Sequence, residues 1–301
     1  MTEQNFQIVH KAGYIAIIGK PNVGKSTLMN ALLGQKLSIV TAKPQTTRHR
    51  ILGILREENF QMIFMDTPGL LTPRYKLQDK MLHRAQRAMA EADISVMMVE
   101  PVERVSELVE NVLISLQKTH KPIFLVINKI DTIEKKKLLP ILELYASSYK
   151  LNKIFPVSAL NKEGLNELKN ELLLSLPAGP AFYPDDMITE HPERFFVAEI
   201  IREKIFINYG EEIPYSTTVV VEEFKERARK KDFIRANIVV EKNSKKGILI
   251  GKKGAALKKI GLLARQEIEQ FIGRPVYLEL FVKVREKWRQ KDSLLQEYGY
   301  N

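Results

Sequence analysis

Three clusters of residues in the first 160 positions have the types and spacing to handle a nucleoside triphosphate. Gly19-Lys20-Pro21-Asn22-Val23-Gly24-Lys25-Ser26, followed by Thr27, fits the pattern G-x-x-x-x-G-K-[ST]. Its glycines let a loop turn backbone N–H groups onto phosphate oxygens, and a helix opening behind it adds the positive end of its dipole. Lys25 would set its charge on the β- and γ-phosphates, and the Ser26 hydroxyl could ligate Mg2+. Gly19, Asn22, Val23, Gly24, Lys25, Ser26 and Thr27 are therefore candidate phosphate-site residues. A glycine-rich turn can match this pattern by chance. Here an apolar strand precedes it and a helical pattern follows, which is the context the motif requires.

Asp66-Thr67-Pro68-Gly69 closes the apolar run FQMIFMD. An Asp there can hold a magnesium ion through water, and the Gly69 N–H can sense a γ-phosphate. All four are turn residues, so the motif draws its meaning from the phosphate loop before it. Between the two lies Pro44-Gln45-Thr46-Thr47-Arg48, a polar stretch from which a hydroxyl could complete the metal shell, although taken alone it reads as a connecting loop.

The third cluster suits a purine. Asn128-Lys129-Ile130-Asp131 follows the run PIFLVIN, and Ser158-Ala159 follows KIFPV. A carboxylate at Asp131 can accept from both N1–H and the exocyclic amino group of guanine. Adenine offers neither donor, so Asp131 would discriminate against it. Asn128 can bridge base and phosphate loops, the Lys129 stem can lie over the ring, and the backbone at Ser158 and Ala159 can meet the guanine O6.

These residues need a particular scaffold. GYIAIIG, FQMIFMD, ISVMMVE, PIFLVIN and KIFPV are strand-length apolar runs, and amphipathic helical stretches alternate with them. That order implies a mostly parallel sheet with helices on both faces, and the polar strand ends then gather at its carboxyl edge. Residues 1–175 form the expected nucleotide domain. Residues 176–193 contain four prolines and read as a linker or docking segment. Residues 194–301 change pattern to helix, strand, strand, two helices and strand, an α+β arrangement ending in a tail around Trp288 that reads as packing.

Charge divides the chain unevenly. The formal net charge is +11, yet residues 225–291 alone carry 20 Lys/Arg against 7 Asp/Glu. A polyanionic partner for the C-terminal part is the direct reading, with a solvated basic face as the alternative. Inside this segment, Ile250-Gly251-Lys252-Lys253-Gly254 forms a GxxG loop between helical stretches, which suits clamping of single-stranded nucleic acid. The helix after it could instead lie on an anionic membrane, but Leu257, Ile260, Leu263, Ala264, Ile268 and Phe271 read as core positions. There are no cysteines, which excludes disulfides and thiolate chemistry. The N-terminal stretch shows no signal-peptide pattern, and no run of about 18 apolar residues suggests a membrane span.

The four nucleotide motifs are similar to those of translation-factor-like GTPases. Taken with KPQTTRHR and the GxxG loop, nearly the whole chain resembles the Era family of bacterial ribosome-assembly GTPases. The resemblance implies an α/β P-loop GTPase domain followed by a type II KH domain. It implies GTP and GDP as ligands, Mg2+ as cofactor, and K+ held with the help of Asn22. It further implies binding to small-subunit ribosomal RNA near its 3′ end and to the 30S subunit. The metal ligands would be Ser26, Asp66 and a switch hydroxyl from Thr46 or, preferably, Thr47. A monomer in the cytoplasm is expected, with peripheral attachment to the inner membrane face as a further expectation. Leu70 stands where Ras-type GTPases place a water-orienting glutamine. The catalytic group is thus left open among Lys25, Thr47 and Gly69. Two other classes compete with a GTPase switch. One is a nucleic-acid-binding module with a vestigial nucleotide domain, against which Lys25, Ser26 and Asp66 argue. The other is an ATP-dependent P-loop enzyme, against which Asp131 argues.

Overall fold

The computed structural model describes residues 10–210 and 212–300. For residues 1–9, the expectation about the N-terminal stretch lies outside the described residues. The strand-length runs build a six-stranded sheet in the order β2-β3-β1-β4-β5-β6. Strands β1 (Lys11–Gly19), β3 (Phe60–Asp66), β4 (Ile94–Val99), β5 (Ile123–Asn128) and β6 (Lys153–Val157) run parallel. Every residue of β3, β4 and β5 is buried, as expected when helices cover both faces of a parallel sheet. The covering helices are α1 (Lys25–Leu33), α2 (Lys76–Glu91), α3 (Glu107–Gln117), α4 (Leu138–Ser148) and α5 (Leu165–Ser175).

One strand escaped the sequence pattern. β2 (Ile51–Glu57) pairs antiparallel with β3, and only Glu58 and Asn59 connect them. Its first four residues are buried on both sides, so ILGILRE lacks the alternation that marks a half-buried strand.

The chain forms two compact units that differ from the division read in the sequence. The first holds residues 1–38, 47–72 and 81–190; the second holds 39–46, 73–80 and 191–301. The proline-rich stretch is docked rather than loose, because its backbone finds partners within the first unit. Ala12 N donates to Pro177 O at 3.2 Å and Gly179 N to His10 O at 3.0 Å. Gln61 Oε1 accepts from the Phe182 and Tyr183 amides at 2.8 and 3.0 Å.

In the second unit a three-stranded sheet has the order β7-β8-β9, formed by Thr218–Lys225, Asp232–Val240 and Val276–Val284. β7 is antiparallel to β8, and β9 is parallel to it. Helix α6 (Glu193–Asn208) precedes the sheet, and α7 (Asn243–Ile250) and α8 (Ala255–Ile272) join β8 to β9. Alternate residues of β8 (Ile234, Ala236, Ile238 and Val240) meet Ile201 and Ile205 of α6 and Ile260, Ala264 and Ile268 of α8 in one core. The fourfold spacing on α8 puts its apolar stripe on that core. Among the described residues no helix is long and apolar enough to cross a membrane.

The tail belongs to the same unit. Trp288 is buried, its Nε1 donates to Ser216 O at 2.9 Å, and its ring lies 6.0 Å from that of Tyr300. Trp288→Ala should lower the stability of the second unit by about 3–5 kcal/mol in urea unfolding. A loss under about 1 kcal/mol would place the tail outside the core.

Candidate functional site

The sheet carries the polar ends of its parallel strands to one edge, and the nucleotide motifs meet there. The phosphate loop runs from the end of β1 into α1. Gly24 has φ of 99°, and a Cβ there would stand 2.2 Å from the Asn128 side-chain nitrogen. Only glycine permits that approach. Across it, Asn128 Nδ2 donates to Val23 O at 2.8 Å, while Asn128 Oδ1 accepts from Ala159 N at 2.9 Å. One buried carboxamide thus fixes the phosphate loop against the turn at the end of β6.

Lys25 is buried, and its ammonium donates to Gly19 O and Lys20 O at 3.1 and 2.8 Å. Burial pushes it down to about 8, against the pull of Asp66. Ser26, at the start of α1, donates to Asp66 Oδ2 at 2.7 Å and lies 2.9 Å from the Thr47 hydroxyl. Thr47 Oγ1 also donates to Asp66 Oδ2, at 3.3 Å. Burial pushes the Asp66 carboxyl above the usual carboxylate range, opposed by the Ser26 hydroxyl, the Lys25 ammonium and the hydroxyls of Ser38 and Thr47. Three oxygen-bearing side chains from the phosphate loop, the polar stretch and the end of β3 therefore converge. Thr46, the other candidate for the switch hydroxyl, turns away and bonds Thr41 Oγ1 and Lys43 O at 2.7 Å each.

Gly69 lies against Pro21 of the phosphate loop, and Leu70 N donates to Gly19 O at 3.0 Å. The Leu70 side chain is 3% exposed and packs into the core of the first unit. Asn22, within the loop, and Asp131, on a single turn after β5, are exposed, while Thr27 is half-buried. Lys129 sits in the left-handed region at φ 67° and pairs with Glu100. Ser158 is buried and its Oγ accepts from Asn161 N at 3.2 Å. The sequence reading overlooked Glu100 and two residues beside the metal-type site, Asn30 and Ser38. Lone polar residues in KLSIVT and within α1 form no motif, so only the fold brings them in.

In the second unit, α7 ends at the half-buried Ile250 and the GxxG turn follows. Gly251 (φ 70°, ψ 179°) and Gly254 (φ 79°) bracket Lys252 and Lys253, which are both exposed. Beside the turn, between α8 and β9, lies an open cleft of about 620 Å³ lined by Gly254, Lys258, Leu262, Arg265, Tyr277 and Leu280. Leu262 and Tyr277 are 49% and 53% exposed. This apolar floor with a basic rim had no counterpart in the sequence motifs, because its residues are scattered along a helix and a strand.

A phosphate loop, a hydroxyl–carboxylate cluster and a guanine-type edge on one parallel sheet define a P-loop GTPase, here joined to a KH fold. Residues 14–129 match the 50S ribosome-binding GTPase family, and residues 212–289 match the KH domain family. The chain is 48% identical over 295 residues to the GTPase Era of Syntrophus aciditrophicus, covering 98% of this chain and 96% of that one. Two solved structures superpose with a TM-score of 0.93 at 42% identity. One is Era in complex with MgGDPNP and nucleotides 1506–1542 of 16S ribosomal RNA, covering 97% of this chain and 99% of that one. The other is an Aquifex aeolicus Era variant bound to GDP and AlF4−, covering 96% and 99%. The chain belongs to the Era family of GTPases.

Asp131 offers a direct test of the base edge. Asp131→Asn should weaken GTP binding by about 1–3 kcal/mol, because an amide cannot accept from two donors at once. Xanthosine triphosphate should bind the variant better than the native protein. Unchanged GTP affinity would remove Asp131 from the site.

Proposed function

We propose that this protein is a GTP-hydrolysing switch that binds single-stranded RNA near the 3′ end of the small-subunit ribosomal RNA. In that role it acts in assembly of the 30S subunit, as a monomer in the cytoplasm. The observation that carries the enzymatic reading is the convergence of Ser26, Thr47 and Asp66 within 3.3 Å of one another. A vestigial nucleotide domain would have no use for this cluster, which includes a fully buried carboxylate.

An all-oxygen donor set suits a hard cation, and the buried, unpartnered Asp66 Oδ1 leaves one acceptor free for its hydration shell. Ser26 and Thr47 would hold Mg2+ directly and Asp66 through water; when bound, the ion neutralises charge growing on the β- and γ-phosphate oxygens. Lys25 exchanges its bonds to the Gly19 and Lys20 carbonyls for phosphate oxygens. The Gly69 N–H faces the γ-phosphate. Asn128 keeps the phosphate and guanine loops in register, and Asp131 reads the base.

The hydrophobic residue in place of a glutamine shapes the hydrolytic step. Leu70 is committed to the core, and its backbone N–H is already bonded. Orientation of the attacking water thus falls to backbone groups and local electrostatics, or to a bound partner. A cation beside the exposed Asn22 would add positive charge where the leaving phosphate becomes negative. Potassium should accordingly accelerate hydrolysis relative to sodium at matched ionic strength, and Asn22→Ala should remove the difference. Equal rates in both salts would exclude this role.

The RNA reading rests on the exposed lysines of the GxxG turn beside the apolar cleft, where phosphates can meet charge while bases meet Leu262 and Tyr277. Replacing Lys252 and Lys253 together with Asp leaves both glycines in place. It should reduce the salt slope of RNA binding by roughly 0.7 per lost phosphate contact and weaken affinity, without changing basal GTP turnover. Full RNA affinity in the folded double variant would move the RNA site elsewhere.

A further inference from the structure

The Thr47 hydroxyl meets Ser26 and Asp66 at the end of a polar segment with an unusual backbone. Two residues before it, Gln45 has φ of 62°. Outside glycine, that left-handed conformation crowds the Cβ and persists only where surrounding contacts enforce it. Glycine would adopt it freely, yet a glutamine occupies the position.

The glutamine side chain supplies the enforcing contacts. Gln45 Oε1 accepts from the Tyr75 hydroxyl at 3.1 Å and from Gln78 Nε2 at 3.2 Å. Both donors stand at the start of α2: Tyr75 precedes the helix, Gln78 lies in its first turn, and Gln78 N donates to Tyr75 O at 2.8 Å. Each donor is itself held. Gln78 is 5% exposed, and its Oε1 accepts from Arg74 N at 2.7 Å, which turns the amide nitrogen toward Gln45. The Arg289 guanidinium lies 4.7 Å from the centre of the Tyr75 ring and bonds Glu241 at 2.6 Å. Only Thr46 separates Gln45 from Thr47, and its hydroxyl is bonded to Thr41 Oγ1 and Lys43 O. Side-chain bonds therefore fix the backbone ahead of Thr47 at both Gln45 and Thr46.

We propose that Gln45 is a positioning residue for GTP hydrolysis: gripped by Tyr75 and Gln78, it holds the left-handed turn that sets the Thr47 hydroxyl beside Ser26 and Asp66. The inference rests on the reading of Thr47 as a magnesium ligand.

The test pairs single-turnover hydrolysis of bound GTP with equilibrium binding of fluorescent GDP and of a fluorescent non-hydrolysable GTP analogue, in the full-length protein at saturating Mg2+. Gln45→Ala removes the grip and keeps the steric penalty of the left-handed turn. It should lower the hydrolysis rate and the affinity for the analogue by about five- to thirty-fold each. GDP affinity should be unchanged, because GDP has no γ-phosphate for the Thr47 side to meet. Gln45→Gly also removes the grip but takes the turn without strain, so it should recover most of the alanine loss. Tyr75→Phe deletes one of the two donors. It should slow hydrolysis less than Gln45→Ala does, and should add nothing in the Gln45→Ala background. If Gln45→Ala fails to fold, Tyr75→Phe decides the question by the same contrast between GDP and the analogue. A folded alanine variant that hydrolyses GTP at the native rate would overturn the role of Gln45. So would a glycine variant no faster than the alanine one, or equal losses for GDP and the analogue, since a merely structural fault would act on both nucleotides. Native hydrolysis by Thr47→Ala would instead overturn the reading of Thr47, and the inference with it.

Discussion

The nucleotide site depends on one buried carboxamide. Asn128 donates to the phosphate loop and accepts from the turn carrying Ala159, so two loops more than 130 residues apart in sequence share a single rigid link. The phosphate cradle and the base edge must keep a constant separation, because a nucleotide is itself of fixed length. Gly24 exists in its left-handed form to let that amide through. The parallel sheet supplies what the link needs. β1 and β5 end at the same edge, and β6 beside β5 delivers the third loop.

The charges around that link are arranged so that none is comfortable alone. Burial pushes Lys25 and Asp66 in opposite directions, each toward its neutral form. Their mutual attraction opposes the trend without cancelling it. Phosphates beside the lysine and a hydrated cation beside the carboxylate would each favour the charged form, so the two charges suit a nucleotide and a metal as a complementary set. The hydrophobic Leu70 fits this economy of charge, because it adds packing at the site and no further polar group to be satisfied.

What the sequence made legible was chemistry that demands fixed residue types at fixed spacing. The phosphate loop, the Asp66 turn, Asn128–Asp131 and the GxxG turn are local in the chain, so their geometry follows from a few consecutive residues. Elements defined by long-range packing were not legible. β2 shows no alternation because both its faces are covered. Residues 176–193 read in composition as a linker or a docking segment, and only the fold, through Gln61 and residues 10–12, shows the docking. The wall of the cleft beside the GxxG turn needs Leu262 and Tyr277 side by side, and no periodicity brings a helix residue and a strand residue together. Ser38 fell through for the same reason, being held by one asparagine a helix away.

The composition of the two units bears on the order in which the molecule can be completed during synthesis. Residues 39–46 leave the ribosome early but count with the second unit. Val40 N bonds Glu203 Oε1, and the Lys43 ammonium bonds the carbonyls of Phe206 and Tyr209. None of these partners exists until helix α6 has been made. The segment leading directly into Thr47 therefore lacks these three bonds while residues 19–26 and 128–159 have already been made. A nascent chain can complete the phosphate loop and the Asn128 link before the segment ahead of Thr47 gains its bonds to residues 203–209. Synthesis thus imposes its own sequence of events, in which the phosphate loop and the Asn128 link are made before the partners of Val40 and Lys43.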